Sequence, residues 1–96
     1  MAIINDNGLG KGRKAKVKYE KKFSGQFPGE ALVIIHSSEG KLTAIFPLSS
    51  IDEEQGVIYA IVIDEREDSY LVDLPTYTFT SGSKAWFPRS HVTVEV

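Results

Sequence analysis

Residues 57–74 read Val57-Ile58-Tyr59-Ala60-Ile61-Val62-Ile63-Asp64, then Glu65-Arg66-Glu67-Asp68, then Ser69-Tyr70-Leu71-Val72-Asp73-Leu74. The first block is dominated by β-branched and aromatic residues, which suit a pleated surface. The second is a charged turn, and the third answers the first as a hairpin partner. Pro75 is expected to close the returning strand, because it has no N–H to give a ladder. The seven apolar residues Val57–Ile63 fall far short of the roughly 20 that a membrane helix needs.

The flanking sequence repeats this grammar. Arg13 to Glu20 alternates, with Ala15, Val17 and Tyr19 on one side and Lys14, Lys16, Lys18 and Glu20 on the other. A period of two with that split marks a half-buried strand. Phe23 to Gly29 is a loop from which Phe23 and Phe27 tuck into the core. Ala31-Leu32-Val33-Ile34-Ile35 is a continuous apolar strand, and Lys41 to Phe46 returns after a turn, with Leu42, Ala44 and Phe46 on one face. Ser49 to Gly56 is polar and acidic and fits one helical turn, with Ser50 as N-cap and Glu53 three residues on. Tyr77–Thr80, Lys84–Phe87 and Val92–Val96 complete the strands, punctuated by Ser81-Gly82-Ser83 and Pro88. Short strands separated by turn signals, with no long helix, imply an all-β fold. The expectation is a small, strongly bent barrel of five to seven antiparallel strands over residues 13–96, preceded by a flexible arm, residues 1–12.

The chain has 96 residues, 42% of them hydrophobic and 25% charged, which fits one folded domain with a modest core. It has no cysteine, so disulfides and cysteine-based zinc sites are excluded. No signal-peptide stretch occurs in Met1–Gly12. Together these point to a cytoplasmic setting without a membrane span. The net charge of −2 conceals an asymmetry: residues 11–22 hold seven of the eleven basic residues and sum to +6, while the rest sums to −8. The basic set is Lys11, Arg13, Lys14, Lys16, Lys18, Lys21 and Lys22. It reads as a nucleic-acid-facing patch, as a surface complementary to an acidic partner, or as an edge strand blunted by lysines.

Residues Ala85-Trp86-Phe87-Pro88-Arg89-Ser90-His91-Val92 resemble the strand, 3₁₀ turn and final strand that end SH3-type and Tudor-type barrels. Pro88 would fix φ for the tight turn, and Trp86 and Phe87 would face opposite sides, one into the core. The paired tryptophans of proline-binding SH3 domains have no counterpart, since Trp86 is the only tryptophan. Pro28-Gly29-Glu30-Ala31-Leu32-Val33-Ile34-Ile35, followed by Ala44-Ile45-Phe46-Pro47-Leu48-Ser49-Ser50, is similar to the MazF/PemK toxin ribonucleases. That family is also built on an SH3-like barrel. Its catalytic arginine would fall near Pro28 or Gly29, where this chain has none, and its threonine would fall at Ser49. The resemblance therefore implies architecture rather than activity.

Other chemistry is thin. His36 and His91 lie 55 positions apart and imply no catalytic or metal site. Asp64, Glu65, Glu67 and Asp68 lack the spacing of a calcium loop, and Gly8–Gly12 lacks the context of a phosphate cradle. No cofactor is expected. The sequence points to a non-enzymatic binding module that meets a protein with an acidic surface. Its binding residues are Arg13, Lys14, Lys16, Lys18, Lys21, Lys22, Tyr77, Phe79, Trp86 and Arg89. Nucleic-acid binding through residues 11–22 is the alternative, and a MazF-like or gyrase-directed toxin is the second.

Overall fold

A computed structural model describes residues 12–80 and 82–95. The arm and Lys11 therefore lie outside the described residues, apart from Gly12. Among the described residues nine antiparallel strand segments and two 3₁₀ turns follow one another. They are β1 (Arg13–Lys18), β2 (Lys21–Ser24), β3 (Glu30–Ser37), β4 (Gly40–Pro47), a turn at Leu48–Ser50, β5 (Ile51–Asp52), β6 (Val57–Glu65), β7 (Ser69–Thr78), β8 (Gly82–Pro88), a turn at Arg89–His91, and β9 (Val92–Val94). One curled antiparallel sheet, a half-barrel, carries all of them in the order β9-β1-β6-β7-β4-β3-β2, with β5 beside β6 and β8 beside β7. The all-β reading holds. The segments outnumber the expected strands because bends divide longer runs.

The most consequential bend is at Tyr19-Glu20. There the alternating run leaves one neighbour set for another: β1 pairs with β6 and β9, and β2 pairs with β3. Tyr19 N–H donates to the Gly56 carbonyl at 3.1 Å and Glu20 N–H to the Ile34 carbonyl at 2.8 Å, so the corner is held from both sides. Gly12, just before β1, is needed for close approach. A Cβ there would come within 2.8 Å of the Val62 carbonyl oxygen.

Alternate residues of the longer strands supply the core, joined by one residue each from β8 and β9: Ala15 and Val17; Ala31, Val33 and Ile35; Leu42, Ala44 and Phe46; Ile58, Ala60 and Val62; Val72 and Leu74; Phe87 and Val92. Phe46 and Phe87 are fully buried, and each contributes roughly 1.5–3 kcal/mol through removal of its ring from water. The expected split at the end of the chain holds, with Phe87 inside and Trp86 on the outer side. Val92 then restarts the sheet opposite Val17.

Several local expectations are corrected. Phe23 and Phe27 do not tuck inward; they are 48% and 63% exposed. Phe23 belongs to β2, and its alternation places it outside. Residues 48–56 form no α-helical turn. Pro47 caps the 3₁₀ turn without a side-chain bond, and Ile51-Asp52 then pairs with Val57-Ile58, because the segment gains a ladder there. Pro75 does not close β7, which runs on to Thr78. Pairing to β6 ends at Asp73, and the register to β8 shifts between Asp73 and Thr78. Pro75 thus sits where no ladder partner calls for its missing N–H.

Candidate functional site

The basic residues fall into separate groups. Lys14, Lys16 and Lys18 stand on the outer side of β1, because Ala15 and Val17 take the inner side. Lys16 donates to Gln55 Oε1 at 3.2 Å and lies opposite Tyr59 on β6. Tyr59 OH donates to Asp52 Oδ2 at 3.1 Å, which raises the Tyr59 pKa. The Gln55 backbone N–H and then Tyr59 hold the Asp52 carboxyl low. Lys14 and Lys18 have no ion-pair partner among the described residues. Lys22 is committed to Glu53 at 2.8 Å. Lys21 points outward from β2, opposite Ile34.

Arg13 and Arg89 belong to a clasp at the β6–β7 hairpin. Arg13 Nη2 donates to Glu65 Oε1 at 2.6 Å, and Arg89 Nη2 to Glu65 Oε2 at 3.2 Å. Arg89 also donates from Nε to the Glu67 carbonyl (2.9 Å) and from Nη2 to the Arg66 carbonyl (2.6 Å). Its Nη1 donates to Tyr70 OH (2.7 Å), and its guanidinium stacks 4.4 Å from the Tyr70 ring. Arg66 lies 3.8 Å over the Trp86 ring. The Arg13 hydrogen bond first, then Arg89, holds Glu65 below the ordinary glutamate range. The charged hairpin tip is therefore an internally satisfied network, and Trp86 is half-buried beneath its own cation. Among the described residues no cluster of acidic or histidine side chains is suited to a metal ion.

Tyr77 and Phe79 are the opposite case, at 75% and 61% exposed. β7 pairs with β4 through Ala44 and Thr78, and Phe79 N–H donates to the Thr43 carbonyl at 2.9 Å. Thr78 faces in, so Tyr77 and Phe79 face out beside Ile45 and Thr43. Antiparallel continuation from the Ala44–Thr78 pair then aligns two outer rows across four strands: Phe23, Leu32, Ile45 and Tyr77, and next to it Lys21, Ile34, Thr43 and Phe79. At about 4.8 Å per strand the rows run roughly 14 Å. The structure thus joins Lys21 to Tyr77 and Phe79. It sets Lys14, Lys16 and Lys18 on β1, across the Tyr19-Glu20 bend from Lys21 and paired to β6 and β9 instead of β3.

Phe23, Leu32, Ile34 and Ile45 were not singled out from the sequence as binding residues, yet a signal existed. Residues 31–35 are apolar at every position, on inner and outer sides alike. A strand of that kind usually has both faces covered by other layers. The described residues form no helical layer, so the outward half of the run is left half-buried at the surface.

Three of the clefts among the described residues bear on these positions. One of ≈ 600 Å³ opens where β7 leaves β6 for β4, lined by Lys14, Ser49, Tyr59, Asp73, Pro75 and Glu95 among others. A second, ≈ 450 Å³, lies along the outer edge of β2, between Lys22 and Ser24 on one side and Leu48 and Glu53 on the other, with Phe27 beside it. Ser49 borders the first, and Pro28 and Gly29 border the second. The positions matched to the toxin ribonucleases thus do not line one cleft. The third, ≈ 210 Å³, holds Lys18, Tyr19, Glu20, His36 and His91. Glu20 accepts a hydrogen bond from His36 Nε2 and forms an ion pair with Lys41 Nζ at 3.5 Å. The His36 bond first, then the charge of Lys41, lowers its pKa. No helix of the described residues is long and apolar enough to cross a membrane. The chain matches no known protein family, curated protein or solved structure.

Proposed function

We propose that this chain is a non-enzymatic protein-binding module on an SH3-like half-barrel, and that its contact is the outer face of β2, β3, β4 and the end of β7. The observation that carries the reading is the alignment of Phe23, Leu32, Ile45 and Tyr77 in one outward-facing row, with Phe23, Ile45 and Tyr77 exposed and Leu32 half-buried between them, flanked by half-buried Ile34 and exposed Phe79. At about 200 Å² per ring, Phe23, Tyr77 and Phe79 alone leave about 370 Å² uncovered. With their aliphatic neighbours they reach the size at which a surface patch marks an interaction site, about 300–600 Å². Exposed aromatics in a cluster are also the residue type that carries most interface energy. Lys21, in the second row without an acidic partner among the described residues, gives the face one positive charge. A partner with an apolar centre and an acidic neighbour fits it.

The test is affinity capture on the bead-bound chain after nuclease treatment, with wild type beside Tyr77→Ser/Phe79→Ser. The expected result is a protein retained by the wild type and lost, by about tenfold or more, from the double variant. Equal retention by both overturns the reading. The row of Lys14, Lys16 and Lys18 favours a second reading, nucleic-acid binding. It requires affinity for a labelled RNA or DNA oligonucleotide that falls steeply with salt.

A further inference from the structure

We infer that the partner of this face binds as an extended segment, adding a strand to the free edge of β2; this rests on the protein-binding reading above. Among the described residues β2 pairs only with β3. Gly25 N–H donates to the Glu30 carbonyl at 3.1 Å, which makes Gly25 and Glu30 a hydrogen-bonded pair in the same register. In an antiparallel ladder such pairs alternate with open ones. Residues 21, 23 and 25 therefore turn their amides and carbonyls to β3. Lys22 and Ser24 turn theirs to the other side, where no strand of the described residues receives them. Two residues two apart, each offering one donor and one acceptor, are the valency that an incoming strand satisfies.

The space is there as well. The ≈ 450 Å³ cleft is lined by these same two residues, with Leu48 and Phe27 as apolar contacts; the Lys22–Glu53 ion pair bridges its walls and must open to admit a strand. The outer face supplies the remainder: the next side chains in from this edge are Lys21 and Phe23. The three exposed rings give about half of the roughly 800 Å² each partner contributes to an ordinary interface, and the cleft adjoins them. A face-to-face second copy fits less well, since it would bring two copies of Lys21 into one apolar contact. The occupant is thus a segment of another protein with aliphatic residues toward Leu48 and Phe27 and a carboxylate beside Lys21.

The probe is a blocked, fluorescein-labelled heptapeptide, Val-Leu-Glu-Leu-Val-Glu-Ser, titrated into the full chain. Saturable binding is expected, with amide exchange of Lys22 and Ser24 slowed about tenfold or more. Ser24→Pro removes one outward N–H and none from the β2–β3 ladder, and proline is tolerated on an edge strand. It should weaken peptide binding about tenfold with an unchanged melting temperature. Should that variant lose stability, the same peptide N-methylated at alternate residues is the second arm. Methylation in one phase should abolish binding, and in the other phase leave it intact. No saturation by about 1 mM peptide, unchanged Lys22 and Ser24 amides on binding, or equal binding by both methylated peptides overturns strand addition. Loss of strand addition with Tyr77→Ser/Phe79→Ser still losing its captured protein leaves the face reading standing. Equal capture by that variant brings down the face reading itself.

Discussion

Two outer regions of this sheet carry the same kinds of residue and treat them in opposite ways. At the β6–β7 hairpin, Tyr70 and Trp86 are each covered by a guanidinium, and Arg13, Arg89 and Glu65 bond one another. On the β2–β3–β4 face, Phe23, Tyr77 and Phe79 are bare, and Lys21 has no acidic partner among the described residues. The difference is one of satisfaction rather than composition. A cation stacked on a ring and hydrogen-bonded to carbonyls is already bound to its own protein. An uncovered ring row has its interaction free energy still to gain. Aromatic and basic residues become candidate contacts only where the fold leaves them without partners.

The largest effect tests whether the two regions stand on one core. Phe46 projects inward beneath the apolar face, and Phe87 beneath the clasp, both fully buried. Phe46→Ala and Phe87→Ala should each cost about 3–5 kcal/mol in urea unfolding. Comparable losses in a single transition would make the half-barrel one cooperative unit. A large loss from only one of them would separate the regions.

The second test opposes the surfaces directly. Arg89→Ala breaks bonds to Tyr70, Glu65 and two backbone carbonyls, so it should lower the melting temperature and spare partner capture. Tyr77→Ser/Phe79→Ser should do the reverse, with stability held within about 0.5 kcal/mol and capture lost. A stability loss from both, with capture intact, would erase the contrast.

Much of the fold was legible because alternation is local. Arg13–Lys18, Lys41–Phe46 and the 57–74 hairpin announce their inner sides by residue type alone. The bend at Tyr19-Glu20 was not legible, because it is fixed by bonds to Gly56 and Ile34, 37 and 14 positions away. That bend sends Lys21 to a different surface from Lys14, Lys16 and Lys18. It splits a basic run that is continuous in sequence. Tyr77 and Phe79 were legible as candidates, but Trp86 and Arg89 were not separable from them. Whether a ring is bare or stacked depends on Arg66, whose position is set across the sheet. Phe23 was misplaced because loop signals at Ser24-Gly25 masked a four-residue strand.

The third test is pH. Hydrogen bonds from His36 to Glu20 and from Arg13 to Glu65 lower both carboxyl pKa values from the ordinary 4.5. A depressed folded-state pKa means the stabilisation is present above the ordinary value and is lost as pH falls through it toward the folded value. Urea midpoints should therefore fall as pH drops below about 4.5, and Glu20→Gln and Glu65→Gln should each flatten that fall. A slope unchanged in Glu65→Gln would mean that the clasp does not hold its carboxylate in solution.

The smallest effect is the most discriminating. Lys21→Glu reverses the charge that lies within the two outer rows, while Lys14→Glu/Lys16→Glu reverses two charges on the β1 surface. None of these side chains packs in the core, so stability should move by no more than about 0.5 kcal/mol. An acidic partner seated on the apolar face responds to Lys21→Glu and not to the β1 double variant. The loss should fade with added salt, because the screening length shrinks from about 10 Å at 0.1 M to about 3 Å at 1 M. The ring contacts do not depend on salt in that way, so Tyr77→Ser/Phe79→Ser should lose capture at both concentrations. The opposite pattern, with sensitivity at Lys14 and Lys16 and none at Lys21, would place the contact on β1. The bare ring row would then be bystander surface, and the salt-dependent nucleic-acid reading would take precedence.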